Sequence, residues 1–252
     1  MGRPRISWHV GCSGYFYWHW KGRFYPRNLE PSRWFSYYAR YFNSVEINAT
    51  FYRFPTPSKI RAWARQAPTG FVYALKLPRE ITHQKRFRDT KPLLKTFYHS
   101  VANLRPHLGS ILIQLPPGMR YRPEVLEGIL KQLNRKFFNV LEFRHRSWWD
   151  PDVFATLERY GVGFVSVSAP RLPNTVQAIR GVVYVRFHGK KQWYRSSYDR
   201  EELREWAERI LSHHPRKIYL YFNNDAEGYA PQNALWMKEI LRSLLDEKST
   251  TP

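Results

Sequence analysis

Short apolar runs alternate along the chain with longer stretches whose apolar residues recur at helical spacing, the rhythm of strand followed by helix. Eight segments have the make-up of buried strands: Ser7 to Gly14, Ser44 to Tyr52, Phe71 to Leu77, Ser110 to Pro116, a run opening at Asn139, Val162 to Ser168, Val182 to His188 and Lys217 to Asp225. Cap chemistry marks the helices between them. Thr56-Pro57 and Asp150-Pro151 each set a capping side chain before a proline at the first helical position, Asp199 with Glu202 makes a capping box, Gly161 closes a helix and Pro231 opens the last one. Eight strands, most with a helix behind, are what a closed parallel barrel requires. The expected fold is α/β, a (β/α)8 TIM barrel in one domain over residues 1–252, with flexible ends at 1–6 and 247–252. An open doubly wound sheet would show a longer glycine-rich turn than Gly11-Cys-Ser-Gly14 after its first strand.

The same runs turn polar as they end. Glu46 with Asn48, Glu142 with Arg144, Ser166 with Ser168, Arg186 with His188, and Asn223 with Asp225 stand two apart and so share a strand face, while Lys76 and Gln114 stand alone. A strand that is apolar first and charged only at its exit has no packing reason to be so, because a buried unpaired charge costs several kcal/mol. These residues are expected to line a pocket at the barrel mouth, where such folds carry their sites. The structural alternative is that Glu142–Arg144 and Glu46–Lys76 are ion pairs closing the barrel top.

That set suits phosphodiester chemistry. Lys76, Arg144 and Arg186 would surround the phosphate oxygens, Glu142 or Glu46 would activate water, and His188 would protonate the leaving oxygen. Asn48, Gln114, Asn223 and His83 would complete the binding set. Glu46, Glu142, His188 and Asp225 could hold one Mg²⁺, Mn²⁺ or Zn²⁺, although three cations in the same mouth compete with a metal for those carboxylates. Cys12, the only cysteine, excludes an internal disulfide and reads as a small packed residue more readily than as a nucleophile.

Charge narrows the partner. The net charge is +21, and residues 1–122 carry 21 basic and four acidic residues (Glu30, Glu46, Glu80, Asp89), a surplus of 17, against 20 and 16 in residues 123–252. One half of the molecule is expected to be strongly electropositive, which favours a polyanion, nucleic acid above all. Loops at the strand ends mix cations with rings: Trp18 and Trp20 with Lys21 and Arg23; Lys85, Arg86 and Arg88 around Phe87; Arg120 and Arg122 around Tyr121; Lys190 and Lys191 before Trp193. Cations hold phosphates and rings stack unpaired bases. No apolar run is long enough for a membrane span and no signal peptide opens the chain, so a soluble, cytoplasmic protein is expected. Three readings stand: a protein acting on nucleic acid, foremost a phosphodiester hydrolase; a nucleic-acid binder without catalysis; and an enzyme for a small phosphorylated anion.

Several stretches also resemble one family in order along the chain. They are Gly11-Cys-Ser-Gly-Tyr-Phe-Tyr-Trp-His-Trp20, Val45-Glu-Ile-Asn-Ala-Thr-Phe-Tyr-Arg53, Lys76 with Ile81-Thr-His83, Gln114-Leu-Pro116, Glu142-Phe-Arg-His-Arg-Ser-Trp148, Tyr184-Val-Arg-Phe-His-Gly189 and Tyr221-Phe-Asn-Asn-Asp225. The pattern is similar to the domain of unknown function 72 proteins, the YecE-like family. That resemblance implies a TIM barrel whose form is similar to endonuclease IV and xylose isomerase, both metal enzymes, and it assigns no reaction. The family's usual opening, Gly-Thr-Ser-Gly-Trp, differs here at Cys12 and Tyr15.

Overall fold

A computed structural model describes residues 6–250, which covers most of the chain. Its strands are β1 (Ser7–Cys12), β2 (Ser44–Ile47), β3 (Val72–Lys76), β4 (Leu108–Gln114), β5 (Asn139–Glu142), β6 (Gly163–Ser168), β7 (Ala178–Ile179), β8 (Val182–Phe187) and β9 (Lys217–Phe222). Its α-helices are α1 (Trp34–Tyr41), α2 (Ala49–Tyr52), α3 (Pro57–Gln66), α4 (Lys91–Val101), α5 (Pro123–Leu130), α6 (Pro151–Tyr160), α7 (Arg200–Ser212) and α8 (Tyr229–Thr250). Eight parallel strands follow the order β1-β9-β8-β6-β5-β4-β3-β2, and a single parallel bridge from Ser13 to Glu46 joins the two ends of that path. The result is the expected barrel. No described helix is long and apolar enough to cross a membrane.

Alternation decides which side each residue takes. Ala74, Leu112, Val140, Val165, Val167, Tyr184, Tyr219 and Tyr221 pack together inside the barrel, while Leu75, Ile113, Leu141, Phe164, Val185 and Leu220 join the larger core under the helices. The predicted caps are in place: Thr56 accepts from Lys59 N, Asp150 from Asp152 N, Asp199 and Glu202 form the capping box, and Gly161 ends α6 at φ 69°, a left-handed conformation that glycine adopts without strain.

Several boundaries differ from the sequence reading. Strand two was expected to reach Tyr52, yet β2 stops at Ile47 and Asn48 opens the one-turn helix α2, so Asn48 leaves the face of Glu46. β9 ends at Phe222, before Asn223, and α8 starts two residues ahead of Pro231. Ser166 and Ser168 point away from the barrel interior: their Oγ atoms accept from Gln177 N (3.0 Å) and Tyr198 OH (2.7 Å). Val165 and Val167 are the residues of β6 that face in. The segment between β6 and β8 holds β7, which pairs antiparallel with β8. Of the ends expected to be flexible, 1–5 and 251–252 lie outside the described residues, whereas Ile6 packs on the core.

Candidate functional site

At the C-terminal end of the barrel, β2, β5 and β8 deliver charged side chains into one buried cluster. Arg186 of β8 is its centre: Nη1 donates to Glu142 Oε2 at 2.5 Å and Nη2 to Glu46 Oε1 at 2.6 Å. Ser13 Oγ donates to Glu46 Oε1 at 2.6 Å and Tyr184 OH to Glu46 Oε2 at 3.0 Å. On the other carboxylate, Glu142 Oε1 lies 2.5 Å from Arg144 Nε and 3.0 Å from His188 Nε2. Every carboxylate oxygen is therefore occupied, and Glu46, Glu142, Arg186 and His188 are each 0 % exposed.

The electrostatics follow from that packing. Burial alone would raise the Glu142 carboxyl, but Arg144, Arg186 and His188 outweigh it and hold it well below the usual carboxylate range. Burial, with Arg144 and Arg186 adding to it, lowers His188 to about 3, so its ring is neutral. A neutral ring fits its neighbours: with the proton on Nε2 it donates to Glu142, and Nδ1 then accepts from Asn223 Nδ2 at 3.1 Å. Burial would lower Arg186, yet Glu142 and Glu46 win and raise it.

Lys76 and Gln114 sit above this layer. Lys76 Nζ donates to Gln114 Oε1 at 2.7 Å, and Arg144 Nη2 reaches the same oxygen at 3.3 Å. Two rings roof the group: Phe51 of α2 stands 4.3 Å from Lys76 Nζ, and Trp193, from the loop after β8, lies 4.5 Å over the Arg144 guanidinium. The edge of His83 meets Phe51 at 5.0 Å between ring centres. Burial first, then Lys76 and Arg144, lower His83 to about 4.

The expected mouth set thus divides. Glu46, Glu142, Arg144, Arg186, His188, Lys76, Gln114 and Asn223 converge, with His83 at their margin. Asn48 and Asp225 do not join them. Asn48 Oδ1 is buried without a hydrogen-bond partner in the turn after β2. Asp225 instead anchors the loop after β1, accepting from Trp20 Nε1 at 2.8 Å and meeting His19 Nε2 at 2.9 Å.

That departure removes the proposed metal site. Among the described residues no group of three or more His, Cys, Asp or Glu could hold a metal ion. The reason is chemical, since Glu46 and Glu142 already spend their oxygens on guanidinium and hydroxyl donors, and two guanidiniums occupy the positions a hard cation would need. Enclosure also removes Glu46, Glu142 and His188 from direct contact with a substrate. Their contacts are with Arg186 and Arg144 instead: Glu46 with Arg186, Glu142 with both, and His188 with Glu142 and Arg144.

The loop residues divide as well. Trp18 is 62 % exposed, but Trp20 is fully buried against Tyr17, Tyr25 and Tyr38 and is not free to stack on a base. Lys85, Arg86, Arg88, Arg120, Arg122 and Lys191 are exposed, and Lys190 is paired with Glu202. Arg86, Arg88, Arg120 and Arg122 line one cleft of about 520 Å³ between the loops after β3 and β4.

A family model described as a protein of unknown function, DUF72, matches residues 9–252. The chain belongs to the DUF72 family. Among DUF72 relatives, the UPF0759 protein YunF of Bacillus subtilis is 24% identical over 92% of this chain and 94% of its own length, and the UPF0759 protein YecE of Escherichia coli K12 is 26% identical over 85% and 88%. The crystal structure of a DUF72 protein from Thermotoga maritima superposes with a TM-score of 0.82 at 30% identity, over 94% of this chain and 99% of that one. A DUF72 protein from Enterococcus faecalis gives 0.77 at 19% identity over 93% and 95%, which speaks for the fold alone.

Sequence reasoning missed three members of this cluster in the DUF72 chain. Tyr184 shares a strand face with Arg186 and His188 and was visible by that alternation. Ser13 follows β1 and stood within the expected first strand, where nothing marked its face. Phe51 was hidden because Ala49 to Tyr52 reads as strand until β2 is seen to stop.

Proposed function

We propose that this protein binds nucleic acid in an unpaired or distorted form, with the strand laid along the α4–α5 flank and brought to the barrel mouth over the loops after β3 and β4. One observation carries the reading. The cleft lined by Arg86, Arg88, Arg120 and Arg122 shares Gln132 with a second, of about 430 Å³, lined by Lys91, Lys95, His99, Arg105 and Lys136. That one shares Arg105, Lys136 and Phe137 with a third, of about 250 Å³. Among the described residues lining all three, Glu124 is the one acid, and Arg122 holds it at 3.5 Å. A continuous concave path walled by cations is complementary to a sugar-phosphate backbone. A cytoplasmic location is part of the same reading.

Hydrolysis of the phosphodiester has the weaker support, because both carboxylates that would activate water are fully enclosed, Glu142 against Arg144 and Arg186 and Glu46 against Arg186, Ser13 and Tyr184. Fluorescence anisotropy with labelled single-stranded DNA and RNA across a salt series tests the binding. Affinity should fall steeply with salt, and replacing Arg86, Arg88, Arg120 and Arg122 together by Ala should flatten the slope of log K against log salt by about 0.7 for each phosphate that is no longer neutralised. Changing Arg200 and Arg204 on α7, which pair with Glu239 and Glu208, should leave it unaltered. Equal slopes for the first variant and the parent would defeat the reading.

A further inference from the structure

The buried cluster balances its own charge and leaves one basic group over. Two carboxylates, Glu46 and Glu142, are matched by two guanidiniums, Arg186 and Arg144. Lys76 makes no ion pair among the described residues. Its Nζ has a neutral amide oxygen and a ring face for company, and Thr50 Oγ1 donates to the Lys76 carbonyl at 2.6 Å, which ties α2 to the strand end and fixes Phe51 over the amine. A lysine withdrawn from water without a paired carboxylate gives up its proton more readily than one at the surface. Burial, reinforced by Arg186 and opposed by Glu142 and Glu46, brings it down to about 7. Uncharged lysine amines are nucleophiles toward carbonyl carbon, and the step needs no metal.

We propose that Lys76 is a nucleophilic amine that condenses with an aldehyde, and that the aldehyde is the ring-opened sugar of a base-less position in a nucleic-acid strand. The source of the aldehyde rests on the nucleic-acid reading above; the reactivity of the amine does not. The Nζ lone pair attacks the aldehyde carbon, the carbonyl π bond breaks toward oxygen, and a proton passes from nitrogen to that oxygen, through solvent, to give the neutral carbinolamine. Loss of that oxygen as water, with one proton drawn from solvent, leaves a protonated imine linking Nζ to the sugar carbon. Arg144, which keeps 8 % of its side chain exposed beside Gln114, is placed to meet the flanking phosphate.

The test is reductive trapping of the full chain. Protein is incubated with a base-less single-stranded oligonucleotide or with glyceraldehyde 3-phosphate, cyanoborohydride delivers hydride to the imine carbon, and peptide mass mapping locates the secondary amine. The expected result is an oligonucleotide adduct on Lys76 whose rate is half-maximal near pH 7, whereas surface lysines titrate near about 10.4. Lys76→Arg should abolish it. Gln114→Glu, which gives Lys76 a counter-charge, should slow trapping at pH 7 by about tenfold or more and restore it at higher pH, so the outcome remains readable even if the Arg variant folds poorly. Adducts confined to surface lysines would overturn the proposal, while binding of the undamaged strand, measured in parallel, shows separately whether the nucleic-acid reading has failed. Labelling of Lys76 by glyceraldehyde 3-phosphate and not by the strand would overturn the assignment of the aldehyde to nucleic acid.

Discussion

Arg186 is the side chain on which the top of the barrel depends most, because it lies fully buried between Glu46 and Glu142 and bonds to both. Breaking a buried pair from one side leaves an uncompensated charge, so Arg186→Met should destabilise the fold by about 3–5 kcal/mol in urea titration. His188 gives a prediction in pH. Its folded value, near 3, is below the 6.5 of the unfolded chain, so the unfolded state binds more protons between them. Stability is then full above pH 6.5 and is lost as pH falls toward 3, at up to about 1.4 kcal/mol per pH unit for one proton. His9 and His83, each lowered to about 4 chiefly by burial, act with the same sign. His188→Gln should therefore make the slope between pH 4 and 6 shallower without flattening it, and an unchanged slope would mean His188 is charged when folded. Residue by residue, the site was largely legible: charge at the exit of an apolar strand named Glu46, Lys76, Gln114, Glu142, Arg144, Arg186 and His188. What alternation could not give was their partners, so the same carboxylates and histidine left a metal site open as a second reading, against which the three cations spoke.

The loop after β3 is the element that most departs from ordinary backbone. Glu80 to Gln84 form a single π-turn, and Arg86, Phe87 and Asp89 then take positive φ of 48°, 63° and 51°. Such angles cost non-glycine residues about 1–2 kcal/mol each, so something must hold them. Phe87, only 6 % exposed, is the anchor, and its carbonyl accepts from Gln132 Nε2 at 3.1 Å. With Phe87 pinned, Arg86 and Arg88 turn outward to the cleft. Phe87→Ala should cost about 3 kcal/mol and also weaken oligonucleotide binding, although it removes no charge. Binding equal to the parent's would show that the arginines do not need this loop conformation. Element types were legible from caps and periodicity, but β2 was read too long because Ala49 to Tyr52 is apolar and aromatic and carries no stop signal. Backbone bonds from Phe51 N to Asn48 O and from Arg53 N to Ala49 O close the helical turn, and Thr50 ties it to the Lys76 carbonyl of β3.

Across the whole molecule, the surplus of charge in residues 1–122 was plain from composition, and its placement was not. α4 brings Lys91, Lys95 and His99 onto the same flank as Lys136, which belongs to the more balanced half of the sequence. Reversing Lys91, Lys95 and Lys136 to Glu should reduce oligonucleotide affinity at least about tenfold at moderate salt while leaving the melting temperature close to the parent's, since all three are exposed. Equal affinity would confine the contact surface to the loops after β3 and β4.

Between β1 and β2 the ring closes through one β-bridge, Ser13 to Glu46, with side chains of Asn43 and Tyr38 tying the rest of the seam, and the neighbouring Cys12 is 1 % exposed, with its N–H bonded to Tyr38 OH at 2.8 Å and its thiol pushed well above the usual range by burial. The chain therefore carries its own clock for parting of the barrel. A thiol reagent reaches that sulfur when β1 and β2 separate, so the rate of labelling counts openings at this joint, and Glu46→Gln should quicken it well before the rest of the fold unravels.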